Sequence, residues 1–340
     1  MGAISVKDVA RHAGVSIGTV SNAMNHPEKV APETVGRVRR SIEELGFVRN
    51  AAARQLRDGK SKTVGFVLLD VRSQFFADVA RGAETRASED GLSIILGNGD
   101  VDPERELAYL DIFEQQRVRG ILISPIGDVT PRLVTLRERG MPTVLVDRSS
   151  SDPTFSSVTV DDVAGGRMAV EHLISEGRSR IAFVGGPLST RQVADRLQGA
   201  ESAVRAHAGV TREIVLLDSL SVIAGRKAGV DIASRAVLPD AIFAANDLVA
   251  TGVLHSLMLQ NVGVRVPEDI ALIGYDDIDF ASAAIVPLSS IRQPASLIGH
   301  TALEVLLEEI ESPSLAPRHI VFQPELVVRR STSQAASAEA

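Results

Sequence analysis

The sequence predicts an α-helical head of three short helices joined to an α/β core of two doubly wound parallel-sheet lobes. Three observations predict it. Residues up to about 60 show only helical spacing of apolar positions, whereas from Thr63 onward short apolar runs alternate with helix-length segments. The charge divides at the same place. Of 36 Lys and Arg and 43 Asp and Glu in the chain, residues 1–62 hold eleven and six, leaving 25 and 37, so a +5 head precedes a −12 body. And 340 residues, 44% hydrophobic and 23% charged, suffice for two or three buried cores and exclude a disordered chain.

In the head, Ser5 caps a helix over residues 5–13, with Asp8 in its first turn and Val6, Val9, Ala10 and Ala13 on one face. Gly14 stops it, Val15 turns inward, and Ser16 caps a second helix, Ile17 to Asn25, with Val20, Ala23 and Met24 apolar. Small Ala10 allows a close crossing, the helix-turn-helix arrangement. Pro32 opens a third helix that ends at Gly46 with Val35, Val38, Ile42 and Leu45 inward. Residues 50–57 read as a short helix, below the length that stands alone in water and expected to fray unless a partner supports it, and Asp58 to Lys62 read as a linker. A basic three-helix unit of this kind suits duplex DNA, although charge alone also fits a solvated face.

In the body, strands are expected at Val64–Leu69, Leu92–Leu96, Gly120–Ser124, Thr143–Val146, Ile181–Gly185, Ile214–Leu217, Ala241–Ala244, Ile270–Tyr275, Leu288–Arg292 and His319–Phe322. Helices are expected at Asp78–Asp90, Glu104–Gln116, Val163–Glu176, Ala224–Arg235 and Leu248–Gln260. That many βα units exceed one open sheet, hence two lobes. Residues 331–340 are small and polar and read as a frayed tail. Ligands of such sheets sit at the carboxyl ends of strands. There the sequence places Asp70 to Phe76, Asn98, Ser124, Asp147-Arg148, Arg191 to Arg196, Asn246-Asp247 and Asp276-Asp277. Carboxylates, amides, a guanidinium and two adjacent Phe, in a chain with no Trp and only two Tyr, suit a polyhydroxylated ligand; capping of the following helices is the alternative use of each Asp or Asn.

Put together, the chain resembles the lactose-repressor (LacI/GalR) family of bacterial transcription regulators over residues 4–330. The resemblance rests on Ile4 to Asn25, on Pro32-Glu-Thr and Asn50-Ala-Ala-Ala-Arg-Gln-Leu56, and on Phe75 to Gly82. Val146-Asp-Arg148, Asp195-Arg-Leu-Gln-Gly199, Ala245-Asn-Asp247, Gly274-Tyr-Asp-Asp277 and Ile291-Arg-Gln-Pro294 extend it. It implies a cytoplasmic homodimeric repressor of a carbohydrate-utilisation operon. It divides the chain into a headpiece (1–49), a hinge helix and linker (50–62), a periplasmic-binding-protein-like core (63–330) and the tail. The first lobe takes 63–160 and 292–322, the second 161–291 and 323–330, with crossings near Val160/Asp161, Ser290–Gln293 and Phe322–Pro324.

For palindromic operator DNA the resemblance assigns Ile17, Gly18 and Asn22 to bases and Ser16, Thr19, Ser21 and Asn25 to the phosphate side. Asn50, Ala53 and Leu56 fall to the hinge, with Leu56 wedged into the minor groove. For an effector, a small sugar or related polyol, it assigns Phe75, Phe76, Ser124, Asp147 and Arg148 from the first lobe, Arg196, Leu220, Asn246 and Asp276 from the second, and Gln293 at a crossing. Arg49 stands where the family has proline, Ser73-Gln74 where it has Asn-Pro, Leu220 where many members have an aromatic, and Arg178 where histidine is usual.

No cofactor or metal is expected. The chain has no cysteine, and its seven histidines are scattered without metal spacing, reading as surface or edge residues. Two other functions compete with this one. A solute receptor is opposed by the head and by the lack of a basic-then-apolar leader at Met1 to Lys7. An enzyme is opposed by Gly97-Asn-Gly99 and Gly185-Gly186, too short for a phosphate loop. No run of about 18 apolar residues is present, and the reducing cytoplasm is the expected location.

Overall fold

The computed structural model describes residues 4–47, 61–149, 152–259 and 263–333. The chain divides into two units, residues 1–60 and 61–340. The expected hinge residues Asn50, Ala53 and Leu56 lie outside the described residues.

In the first unit, α1 (Val6–Ala13), α2 (Ile17–Asn25), a 3-10 turn (Pro27–Lys29) and α3 (Pro32–Leu45) follow one another closely. The Asp8 carboxylate accepts from the Ser5 amide at 3.0 Å and the Ser5 hydroxyl at 2.6 Å, which fixes the first turn and holds the Asp8 pKa below its ordinary value. Gly14 and Gly46 end α1 and α3 at φ 65° and 63°, a conformation that side chains with a Cβ resist. Val9, Ala10, Ala13, Val20, Ala23, Val35 and Val38 form the core, with Val6, Val15, Met24, Ile42 and Leu45 packed around it as the spacing predicts. Val30 and Phe47 complete it, though neither was read as inward.

The second unit holds two six-stranded sheets. The first comprises β1 (Thr63–Leu68), β2 (Ser93–Asn98), β3 (Ile121–Ile123), β4 (Thr143–Val146), β5 (Ser157–Val160) and β11 (His319–Phe322), with α4 (Gln74–Glu89), α5 (Pro103–Gln115) and α6 (Thr130–Glu138) intervening. The second comprises β6 (Arg180–Gly185), β7 (Thr211–Leu216), β8 (Ala241–Ala244), β9 (Ala271–Asp276), β10 (Ser289–Arg292) and β12 (Glu325–Val327). Its helices are α7 (Asp162–Ser175), α8 (Arg191–Ala206), α9 (Val222–Ala233), α10 (Asp247–Leu259) and short α11 (Asp279–Ser282); α12 (Ala295–Glu311) returns to the first lobe. The strand orders are β2-β1-β3-β4-β5-β11 and β7-β6-β8-β9-β10-β12, parallel throughout except for β10 against β12. Each order reverses once, between β1 and β3 and between β6 and β8, which sets a crevice at the carboxyl ends of those strands.

Alternation along the strands loads both sheet faces. Val64, Phe66 and Leu68 join α4 and α12 on one side, whereas Val67 meets α5 and α6 on the other. In the second lobe Ile181 and Phe183 face α7 and α8, and Ala182 and Val184 face α9 and α10. The tightest helix crossings share one device, a reciprocal pair of glycines. A methyl added at Gly82 of α4 would strike the Ser296 carbonyl of α12, and one at Gly299 would strike that of Val79. Gly166 of α7 and Gly199 of α8 are matched against Arg196 and Val163 in the same way, as are Gly225 of α9 and Gly252 of α10 against Val249 and Val222.

Several expectations need correction. Strands β5 and β12 were not anticipated, being three or four residues long and rich in polar side chains. Arg191 to Arg196 belongs to α8 and not to a loop, and α6, α11 and α12 were also missed. Arg292 pairs with Asp276 in the second sheet, one residue beyond the expected boundary. The tail does not fray at Ser331. Ser331 and Thr332 are almost fully buried, because their polar groups close the amino ends of β9 and β10. The Ser331 hydroxyl donates to the Leu272 carbonyl at 2.5 Å and accepts from the Ser289 amide at 2.8 Å. Thr332 meets His172, so that histidine is a buried anchor of the second lobe and not a surface residue. Replacing Ser331 with alanine is expected to cost about 1–3 kcal/mol in denaturant unfolding, since a buried amide and carbonyl lose their partner. An unchanged midpoint would show that the anchor adds nothing.

Candidate functional site

The head presents one polar face. Ile17, Gly18 and Asn22 of α2 are exposed on it, with Thr19, Ser21 and Asn25 half-buried at its margins. Ser16 starts the helix, its hydroxyl accepting from the Thr19 amide at 3.0 Å and lying 2.9 Å from the Thr19 hydroxyl. The Asn25 side-chain amide is turned back onto its own helix, donating to the Ser21 carbonyl at 2.9 Å, which leaves it less free for a phosphate than the resemblance implies. Lys7, Arg11, Lys29, Arg37, Arg39 and Arg40 are all exposed. A surface of this kind binds phosphate by releasing counterions, while base reading falls to few side chains.

In the second unit a buried charge cluster lies where the two lobes meet. Arg196 is held on α8 by the Gly166–Gly199 crossing and is only 4% exposed. Its Nε donates to Asp162 Oδ1 at 2.7 Å, and one Nη donates to the Ala245 carbonyl at 2.8 Å. The other Nη lies 3.8 Å from Asp276 Oδ1, and the guanidinium stacks 3.7 Å above the Tyr275 ring. Asp276 ends β9 and also accepts from Gln293 Nε2 at 2.8 Å. From the first lobe Asp147 follows β4. Its carbonyl and its Oδ2 both accept from Gln192 Nε2 of α8, at 2.6 and 2.8 Å. Asp147 and Asp276 have φ of 58° and 103°, so both carboxylates are carried on left-handed backbone that only surrounding structure can hold.

Three carboxylates therefore share one guanidinium out of water. Burial pushes Asp147 well above the ordinary carboxylate range, and the nearby Asp162 and Asp276 add to it. Burial raises Asp276 to about 6 against the restraint of Arg196 and Gln293, and raises Asp162 against that of Arg196. Burial opposes the charge on Arg196, but the Asp162 and Asp276 carboxylates outweigh it and its pKa rises. Asp147 Oδ1, Gln293 Oε1 and Ser124 Oγ are buried without a hydrogen-bond partner among the described residues. Gln293 Oε1 can only accept, whereas Ser124 Oγ and a carboxyl raised as far as Asp147 can donate or accept, so the arrangement is fitted to a molecule whose groups do both, as hydroxyls do.

The expected set is brought together only in part. Arg196, Asp276 and Gln293 form one network with Asp162, and Asp147, hydrogen-bonded to Gln192, is coupled to it through charge. Arg148 instead donates from Nη1 to the carbonyls of Pro125 and Ile126 at 2.9 Å each, bracing the loop after β3. Phe75 and Phe76 stack edge to face at 5.1 Å inside the first lobe's core and are not exposed platforms. Asn246 accepts the Val249 amide at 2.9 Å, capping α10, and its own amide reaches the Leu220 carbonyl at 3.4 Å. Leu220 packs against both cores of the second lobe. Asp277 turns away to Arg292 and Arg329, so the adjacent carboxylates part company.

Sequence reasoning missed Asp162 and Tyr275 as members of the cluster and marked Gln192 only as part of the stretch Arg191 to Arg196. The only signal was position: each neighbours a strand end or helix start already singled out. Two cavities, of about 500 and 420 Å³, lie elsewhere. One is at the far end of the first lobe between Arg119 and Pro317; the other lies beside Arg148 and Arg191. Neither is lined by Arg196 or Asp276.

Comparison with known proteins fits both units. A family model described as bacterial regulatory proteins, lacI family, matches residues 5–50, and one described as a periplasmic binding protein-like domain matches residues 170–332. The chain is 33% identical over 332 residues to an HTH-type transcriptional repressor PurR of Aliivibrio fischeri (strain MJ11), covering 96% of this chain and 98% of that one. It is 33% identical over 329 residues to the ribose operon repressor of Escherichia coli (strain K12), covering 96% and 99%. A crystal structure of the lac repressor dimer bound to operator and the anti-inducer ONPF superposes with a TM-score of 0.82 at 26% identity, covering 97% and 99%.

Proposed function

The chain belongs to the LacI family of bacterial regulatory proteins and is a transcriptional repressor of that family. From that premise we propose that it acts in the cytoplasm as a homodimer on a palindromic operator of carbohydrate-utilisation genes, and that a small sugar or related polyol bound between the lobes controls it. The observation that carries the sugar reading is the buried cluster of Asp147, Arg196, Asp276 and Gln293, with its orphaned acceptors at the meeting of the lobes.

Sugar hydroxyls, which both donate and accept, meet Asp147 Oδ1 and Gln293 Oε1 where neither has a partner among the described residues, and each buried polar atom so satisfied favours the bound, closed form. The ribose operon repressor among the relatives supports this ligand class. On the DNA side, Ile17 packs on thymine methyls, Asn22 pairs with adenine, and Ser16, Thr19 and Ser21 approach phosphates. Gly18 lets the backbone approach, and Asn50, Ala53 and Leu56 complete the hinge in the minor groove. Closure of the lobes then shifts the population of operator-competent dimers.

Selection of duplexes from a random pool by the full chain tests this. An inverted repeat should be enriched, and a panel of pentoses, hexoses, disaccharides and polyols should contain a compound that changes its affinity at least about fivefold. A selected pool without two-fold symmetry sinks the dimeric operator. An operator indifferent to the whole panel sinks the sugar.

A further inference from the structure

Gln192 stands apart from the cluster it touches: it belongs to the second lobe, and its only hydrogen-bond acceptors among the described residues belong to the first. Both ends are anchored. The Asp147 amide donates to the Val158 carbonyl at 2.9 Å, which ties it to β5, and α8 is locked to α7 through Gly166 and Gly199. Gln192 is 8% exposed, so parting the lobes would strip a buried amide of both its acceptors. The residue type fits as well. Asp147 is surrounded by the Asp162 and Asp276 carboxylates and by an Arg196 already committed to them. A neutral amide supplies donors there without a further charge.

We propose that Gln192 is a latch that holds the two lobes closed through Asp147, and that it positions Asp147 Oδ1 for the effector. Because the amide engages only the carbonyl and Oδ2, the latch leaves Oδ1 open to a ligand hydroxyl. Latch and ligand therefore add, and a ligand meets an already oriented carboxyl instead of displacing a protein group. The consequence for the operator rests on the repressor reading above; the latch itself does not.

The chain has no cysteine, so two can be introduced cleanly. Val71 and Leu188, both exposed after β1 and β6, are replaced by cysteine in the full chain and carry nitroxide labels. Pulsed dipolar spectroscopy then reads the interlobe distance distribution. Gln192→Ala is expected to move the closed-to-open ratio roughly ten- to a hundredfold toward longer distances. Gln192→Glu, of the same shape, sets a second carboxyl against Asp147, so the lobes should open at high pH, where both are ionised, and close again on acidification, when the pair shares a proton. A purely structural role would not give that reversal. Distributions unchanged in both variants across pH would overturn the latch. A shift in distance with no change in operator affinity would keep the latch and overturn the control of the operator by closure.

Discussion

Gly166→Ala is expected to cost about 3 kcal/mol or more in folding stability and to abolish the effector response along with it. In an isolated helix the change would help, since alanine is the better helix former by about 0.5–1 kcal/mol. Packing reverses the sign. The added methyl falls on the Arg196 carbonyl of α8, a backbone atom with no rotamer by which to retreat. Relief requires α7 and α8 to separate, and α8 carries both Arg196 and Gln192. Core and cleft are thus lost by one displacement. Gly36 in α3 is the control, because nothing lies within 4 Å of its added methyl, and Gly36→Ala should stabilise the chain slightly. Urea unfolding of both variants decides the matter; equal small gains would show that the helices part freely.

The glycine pairs also show what was legible in the sequence. Gly82 and Gly199 were visible as the ends of recurring motifs, Phe75 to Gly82 and Asp195 to Gly199. Their partners Gly299 and Gly166 stand in segments with no mark of their own. Periodicity shows which face of a helix is apolar, but not which helix it crosses. Most strands were legible because a buried parallel strand is a continuous apolar run. Edge strand β7 starts at Thr211, three residues earlier than read, because an edge leaves its polar residues in water. In the site, strand ends located Asp147, Asp276 and Asn246, but residue type could not divide them by use. Asn246 proved to cap α10 whereas Asp276 faces Arg196. Phe75 and Phe76 drew attention as a rare aromatic pair, and the same apolar surface explains why the core took them. Gln192 was hidden for a simpler reason: its acceptors are 45 residues away in another lobe.

Arg196→Ala should destabilise the chain by about 3–5 kcal/mol and leave operator binding at low temperature insensitive to sugar. The stability loss follows from what remains: Asp162, Asp276 and Asp147 keep their burial and lose the charge that offsets it. The pH dependence gives the diagnosis. A carboxyl whose folded pKa is raised binds its proton more tightly when folded, so it favours folding as pH falls through the raised value and loses that contribution above it. Asp276 already titrates at about 6, and without the guanidinium all three carboxyls move higher. The deficit of the variant should accordingly be largest at pH 8 and shrink toward pH 5, where protonation removes the repulsion. A lost packing contact over Tyr275 would instead give a deficit independent of pH. Arg196→Lys separates charge from geometry. It keeps a cation and so recovers part of the stability, but an ammonium cannot span Asp162, Ala245 and Asp276 as the planar fork does, and the sugar response should stay lost. Full response in the lysine variant would mean that the cluster needs only a positive charge, and that the fork plays no part in recognising the effector.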